Sequence, residues 1–212
     1  MRPIPVYVVS LGCPKTRVDT ERFLTALGPA EAVDDPAKAR LIFVNTCGFI
    51  APAIEESVAT ILELAGSAAA SRGKKRALLA AAGCLVSRFG QEGMAAELPE
   101  VGLWLPLDNM EAWPALVLDA LGEVREVSTA PRQATTPEGY AYVKIAEGCG
   151  HNCTFCTIPS IRGRLASAPL PGLLDEARAL IDQGTPELVL VAQDLTAWGR
   201  DLKDQGSLID LV

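Results

Sequence analysis

Short apolar runs along this chain alternate with stretches in which apolar residues recur at helical spacing. The run 6–11 reads as a strand and leads into Gly12-Cys13-Pro14-Lys15. Val18, Phe23, Leu24 and Leu27 share one face of a helix predicted over 18–27, which Pro29 and Asp34-Asp35-Pro36 terminate. The plan then repeats. A strand at 41–44 ends at Asn45-Thr46-Cys47-Gly48, and a helix starts near Pro52, a residue suited to a first helical turn. Its apolar positions are Ile54, Val58, Ile61, Leu62 and Ala65, and the small, polar stretch 66–75 reads as a loop. A third strand, 77–82, runs into Gly83-Cys84; its length and flanking glycine favour strand over helix despite its alanines. A short helix over 88–98, a fourth strand at 101–105 and a helix over 111–121 complete the series. Trp113, Leu116, Val117, Ala120 and Leu121 are the apolar positions of that last helix.

Strands and helices that alternate with short connections predict an α/β fold, a doubly wound parallel sheet. The pattern stops between 122 and 139, a polar stretch with two prolines. The expected division is a first domain at 1–124, a linker at 125–139 and a second domain at 140–212. The second domain shows a buried strand over 140–146, a helix over 170–183 closed by Gly184 and a strand over 188–192. Leu173, Leu174, Ala177, Leu180 and Ile181 form the apolar side of that helix. One βαβ unit does not bury both faces of a parallel sheet, so the domain is expected to be cut short.

The chain has 212 residues, about half of them apolar, and a net charge of −7. That charge argues against a broad nucleic-acid-binding surface, though not against a local basic site. The longest apolar run, 77–86, is too short to span a bilayer. The apolar stretch before Cys13 is too short for a lipoprotein signal and is interrupted at its start by Pro3 and Pro5, so a cytoplasmic protein is expected. There are six cysteines. In a reducing compartment, clustered cysteines bind metals or catalyse more often than they form disulfides.

Cys149, Cys153 and Cys156 are spaced C-x3-C-x2-C after a strand. Three close thiolates are soft ligands for an iron–sulfur cluster or zinc. Closed sites usually take four protein ligands, so this set leaves one coordination position free. Cys13, Cys47 and Cys84 lie 34 and 37 residues apart, about one βα unit each, and each falls just past a predicted strand. In a parallel sheet those ends line one edge, so these thiols are expected to form a second set of three ligands. A single buried cysteine is usually inert; three at equivalent topological positions favour a site. His151, the only histidine, reads as a solvated loop residue, Phe155 as a ring for packing or for an adenine, and Trp198 as core. Arg162 and Arg164 read as solvated surface arginines, with a contact to an acidic partner as the alternative.

The C-x3-C-x2-C loop with Phe155 before its last cysteine, together with Cys13, Cys47 and Cys84 upstream, resembles the radical S-adenosylmethionine methylthiotransferase family. Ser10-Leu11-Gly12-Cys13-Pro14-Lys15, Asn45-Thr46-Cys47-Gly48-Phe49-Ile50 and Ala146-Glu147-Gly148-Cys149, with Ile158-Pro159 and Arg162-Gly163, look like the branch that modifies ribosomal protein S-twelve of the small subunit. The tRNA-modifying branch usually shows Gln-Met-Asn where Pro14-Lys15-Thr16 stands here. Ala192-Gln193-Asp194 replaces the commoner Gly-Gly-Glu. The resemblance implies methylthiolation of an aspartyl β-carbon by an N-terminal fragment that ends early in a partial (β/α) barrel. It implies two [4Fe–4S] clusters, one on Cys13, Cys47 and Cys84 and one on Cys149, Cys153 and Cys156, with S-adenosylmethionine on the latter and Phe155 against it. It also implies a reducing electron donor, a sulfur donor, a monomer and no membrane. Methylthiolation of a tRNA adenosine is the alternative, and an iron–sulfur electron carrier or a metal-stabilised binding module is the reading of another class.

Overall fold

Five strands pair in parallel in the first part of the chain: β1 (Ile4–Ser10), β2 (Ala30–Ala32), β3 (Leu41–Thr46), β4 (Leu78–Gly83) and β5 (Leu103–Leu105). The computed structural model describes residues 2–69, 76–137, 139–203 and 206–212. The sheet order β2-β1-β3-β4-β5 belongs to doubly wound sheets and reverses direction between β1 and β3. The chain divides into two units, Met1–Ala130 and Pro131–Val212.

Side chains of β3 alternate between the two faces, as a strand requires. Ile42 and Val44 join Leu79 and Ala81 of β4 under α2 (Ala51–Ala69), with Leu85 and Val86 of α3 (Cys84–Phe89) and Met94 of α4 (Gln91–Glu97). Phe43 points the other way. Its ring stacks on Phe23 of α1 (Pro14–Leu27) at 4.1 Å between centroids, and both meet Trp113 of α5 (Trp113–Leu121). The Trp113 indole N–H donates to the Pro106 carbonyl, so a buried polar atom is satisfied.

Several elements differ from expectation for identifiable reasons. The first helix begins at Pro14, four residues early, because Pro occupies its N1 position and Cys13 its N-cap. The helix expected over 88–98 is two helices, α3 and α4, separated by Gly90 at φ +78. The helix expected from 111 begins as a 3₁₀ turn over Leu107–Ala112 and becomes α-helical at Trp113. The loop expected over 66–75 is helical as far as Ala69, and 70–75 lie outside the described residues. β2, a short exposed edge strand of Ala-Glu-Ala, carries no apolar pattern to reveal it. Leu62 and Leu116 are exposed, because Leu64 and Leu118 take the buried positions.

In the second unit β6 (Ala141–Lys144) pairs in parallel with β9 (Leu188–Val191) through the crossover helix α7 (Leu170–Asp182). The apolar run 140–146 does not continue as one strand. Ile145 donates its N–H to the Val191 carbonyl and accepts from Ala168 N. Then β7 (Ala146–Glu147) pairs antiparallel with β8 (Ala166–Ser167). The short helices α6 (Ile158–Arg162) and α8 (Leu208–Leu211) were not predicted. Trp198 is buried in this core with Ala141, Val143, Leu173 and Leu180, and its indole N–H donates to the Ala168 carbonyl. Leu174 and Ile181 of the predicted apolar side are exposed, and all four residues of β9 are half-buried. Of the expected linker, 125–130 falls in the first unit, where Ser128 N donates to the Ala26 carbonyl. Residues from 131 on fall in the second unit, where Arg132 bonds Glu176 and the Tyr142 carbonyl; position 138 lies outside the described residues.

Truncating Phe43 removes the ring on which Phe23 stacks and opens a cavity beside Trp113. Phe43→Ala is expected to lower unfolding free energy by about 3–5 kcal/mol, read from denaturant titration.

Candidate functional site

None of the six cysteines is in a disulfide. They gather at two places, one in each unit. In the first unit the parallel register aligns Ser10 with Asn45 and Thr46 with Gly83. Cys13, Cys47 and Cys84 therefore leave the sheet at three adjacent strand ends, the geometry expected from their spacing. Neighbouring strands lie about 4.8 Å apart, so the three segments share one short edge. That edge includes the β1/β3 reversal, where doubly wound sheets bind ligands.

Small residues make the approach possible. Gly12 has φ +96, and a Cβ on it would lie 2.9 Å from Cys47 Cβ and 3.3 Å from Cys47 Sγ. Gly83 has φ +99, and a Cβ there would overlap Asn45 Oδ1 and come within 2.7 Å of the Thr46 carbonyl oxygen. Beneath the thiols lies a buried polar layer. Asn45 Nδ2 donates to the Thr16 carbonyl at 3.1 Å and to Thr20 Oγ1 at 3.0 Å. Thr46 Oγ1 donates to the Ala82 carbonyl and accepts from Leu85 N. Ser57, fully buried, accepts from Cys47 N at 3.1 Å and donates to Cys47 O at 2.9 Å, fixing the backbone of that cysteine. Arg88 donates to the carbonyls of Gly48 and Phe49, and its guanidinium stands 5.5 Å from the Phe89 ring centre. Cys84 is buried; Cys13 and Cys47 are half-buried.

In the second unit the loop carrying Cys149, Cys153 and Cys156 runs from β7 to α6. Its base is closed by Cys149 N donating to the Gly163 carbonyl at 3.2 Å, and its tip turns through Cys156 N donating to Cys153 O. Cys153 is exposed and Phe155 is 89 % exposed. Glu147 anchors the base. It accepts from Lys144 Nζ at 2.8 Å, from Arg162 Nη1 at 2.9 and 3.1 Å and from Gly148 N at 3.1 Å. Arg162 and Lys144 are both buried, so Arg162 is not a surface arginine; its acidic partner is Glu147, while Arg164 is exposed. Burial pushes the Glu147 carboxyl up, but Lys144 and Arg162 outweigh it and hold the pKa at about 2. His151 is exposed yet not merely solvated, since its Nε2 lies 2.8 Å from Asp194 Oδ2. Hydrogen bonds from Thr196 and His151 hold the Asp194 carboxyl below the ordinary range.

Among the described residues, no three His, Cys, Asp or Glu side chains stand close enough to hold one metal ion. Both thiol sets thus reach neighbouring positions without converging on a point. A four-iron cluster takes one thiolate per iron and asks for a wider spacing than a single ion does. Soft sulfur donors, three per set, fit that group in kind. Sequence reasoning missed Glu147, Lys144, Ser57 and Arg88. A charged residue at each end of Lys144-Ile145-Ala146-Glu147, inside an otherwise apolar segment, was the available signal for the first two.

The Glu147 anchor gives a pH prediction. Its folded pKa of about 2 lies below an ordinary 4.5. The stabilisation is therefore present above pH 4.5 and lost as pH falls through 2. Glu147→Gln is expected to cost about 3 kcal/mol at pH 7. The gap from the parent chain should close as the pH is lowered from 4.5 toward 2, as followed by denaturant titration across that range.

Comparison with known proteins places these features. The model of a family described as Uncharacterized protein family UPF0004 matches residues 5–106. The ribosomal protein uS12 methylthiotransferase RimO of Nitratidesulfovibrio vulgaris (strain DP4) is 53 % identical over 200 residues, covering 94 % of this chain and 46 % of the relative. Its counterpart in Aquifex aeolicus (strain VF5) is 44 % identical over 207 residues, covering 97 % and 45 %. Among solved structures, the radical S-adenosylmethionine methyltransferase TsrM from Kitasatospora setae, with cobalamin and a [4Fe–4S] cluster bound, matches with TM-score 0.62 at 12 % identity. That match covers 92 % of this chain and 50 % of TsrM, and at that identity it speaks for the α/β fold alone. The chain spans about half the length of the curated relatives it matches, and along nearly all of its own length it is homologous to ribosomal protein uS12 methylthiotransferases.

Proposed function

We propose that this chain takes part in radical S-adenosylmethionine-dependent methylthiolation of an aspartyl β-carbon in ribosomal protein uS12. The observation that carries the reading is the pair of three-thiol sets, each one ligand short of a closed site, in a chain whose relatives bear that activity in their names. Cys149, Cys153 and Cys156 would hold one [4Fe–4S] cluster together with S-adenosylmethionine, and Cys13, Cys47 and Cys84 a second. When bound, these groups supply one-electron chemistry for an unactivated C–H bond and a carrier for the sulfur to be inserted. The residues of the chain orient and anchor. Glu147, Lys144 and Arg162 tie down the base of the loop, and the His151–Asp194 pair ties its first half to the end of β9. Phe155 offers a free ring face to an adenine. Ser57 and Asn45 hold the upstream edge.

The partners of this reading are uS12 as substrate, an external reductant and a sulfur donor, with the enzyme acting as a monomer in the cytoplasm. Its acidic balance, −7, suits a basic ribosomal protein better than tRNA. Among the described residues no helix is long and apolar enough to cross a membrane. The domain assignment of this reading is 1–124 for the auxiliary cluster and 140–212 for the S-adenosylmethionine site, joined through 125–139.

Anaerobic reconstitution tests it. The chain should bind about eight irons, and replacing either thiol trio by alanine should halve that number. S-adenosylmethionine should perturb the EPR signal only while Cys149, Cys153 and Cys156 are intact. Zinc in place of iron, or four irons with no such response, would defeat the proposal. Mass spectrometry of ribosomal protein and tRNA from a strain lacking the gene then reads the substrate: loss of methylthiolation from tRNA alone would move the assignment to tRNA.

A further inference from the structure

One contact at the upstream edge is unlike the rest. The Thr16 hydroxyl lies 3.6 Å from Cys13 Sγ, a sulfur–oxygen hydrogen bond. Thr16 is 1 % exposed, so water does not compete for that hydroxyl. Its backbone is pinned as well: the Thr16 carbonyl accepts from Asn45 Nδ2 at 3.1 Å and from Thr20 Oγ1 at 2.9 Å. Asn45 is itself fully buried on β3. The point where a Cβ on Gly12 would sit is 3.6 Å from Thr16 Oγ1 and 3.3 Å from Cys47 Sγ. Cys13, the N-cap of α1, does not spend its sulfur on capping that helix.

We propose that Thr16 is a positioning residue of the upstream site: its hydroxyl donates a hydrogen bond to the Cys13 thiolate and raises the reduction potential of the cluster held there. This rests on the reading that Cys13, Cys47 and Cys84 hold an iron–sulfur cluster. The direction of the bond follows from the chemistry. A metal-bound thiolate has no proton to give, so the threonine O–H is the donor. Reduction adds negative charge to cluster and ligands, and a donor aimed at a ligand sulfur favours the more negative state. Hydrogen bonds to the sulfurs are among the terms that set such potentials. The bonds from Asn45 and Thr20 hold the Thr16 backbone from which the donor projects.

The test isolates the upstream cluster in the chain carrying Cys149→Ala, Cys153→Ala and Cys156→Ala, then compares Thr16, Thr16→Val and Thr16→Ser. Valine keeps the shape and removes the hydroxyl; serine keeps the hydroxyl and loses the methyl. Iron content and the midpoint potential from an EPR-monitored redox titration are the readouts. The expected result is a shift to more negative potential in Thr16→Val, with Thr16→Ser close to the parent. Loss of iron from Thr16→Val but not from Thr16→Ser also supports the hydroxyl. Equal potentials in all three, or the same shift or iron loss in both variants, overturn it. If the parent of this series binds no iron, the cluster reading itself fails and the inference falls with it.

Discussion

The first unit depends on how closely backbone can approach backbone at the carboxyl edge of its sheet. β1, β3 and β4 are adjacent and in register, so whatever follows their last residues is forced into a space one strand wide. Two bulky neighbours do not fit there. At position 12 a methyl group would press on Cys47, and at position 83 it would overlap Asn45. Each also sits at a positive φ that costs an L side chain energy. Glycine beside cysteine is thus the steric condition for presenting three thiols from one edge. The folded sheet also bears the entropy of closing two loops of more than thirty residues, so Cys13, Cys47 and Cys84 stand at adjacent strand ends.

Much of this was legible in the sequence because it follows from periodicity. Alternating apolar runs and helical stretches gave the parallel sheet, and equal spacing gave the shared edge for Cys13, Cys47 and Cys84. What stayed hidden has no period. β2 is three exposed residues held by pairing with β1, a tertiary effect. The break at Ile145 arises because its N–H and carbonyl are claimed by Val191 and Ala168 from distant segments. Arg162 looked like one more surface arginine, and only the fold buries it against Glu147. Leu62 and Leu64 are two apart on one helix, and composition alone does not say which of them turns inward.

The two thiol sets are gathered by opposite means, and the supports beneath them differ accordingly. Cys149, Cys153 and Cys156 are close in sequence, so proximity is nearly free and the difficulty is holding a loop in one conformation. The chain answers with charge: a carboxylate bound by a lysine and an arginine at the loop's base. Such a set is strong only when every member is partnered, because an unpaired buried charge costs several kcal/mol. Cys13, Cys47 and Cys84 are distant in sequence, so the sheet supplies proximity and rigidity together. Beneath them hydrogen bonds link Ser10, Thr16, Thr20, Asn45, Thr46 and Ser57, with Arg88 on the Gly48 and Phe49 carbonyls and Lys15, Asp19 and Glu21 buried on α1. The loop is thus anchored by an ion-paired carboxylate at its base, whereas the sheet edge is held by strand register and brings the buried Thr16 hydroxyl within hydrogen-bond distance of the Cys13 sulfur.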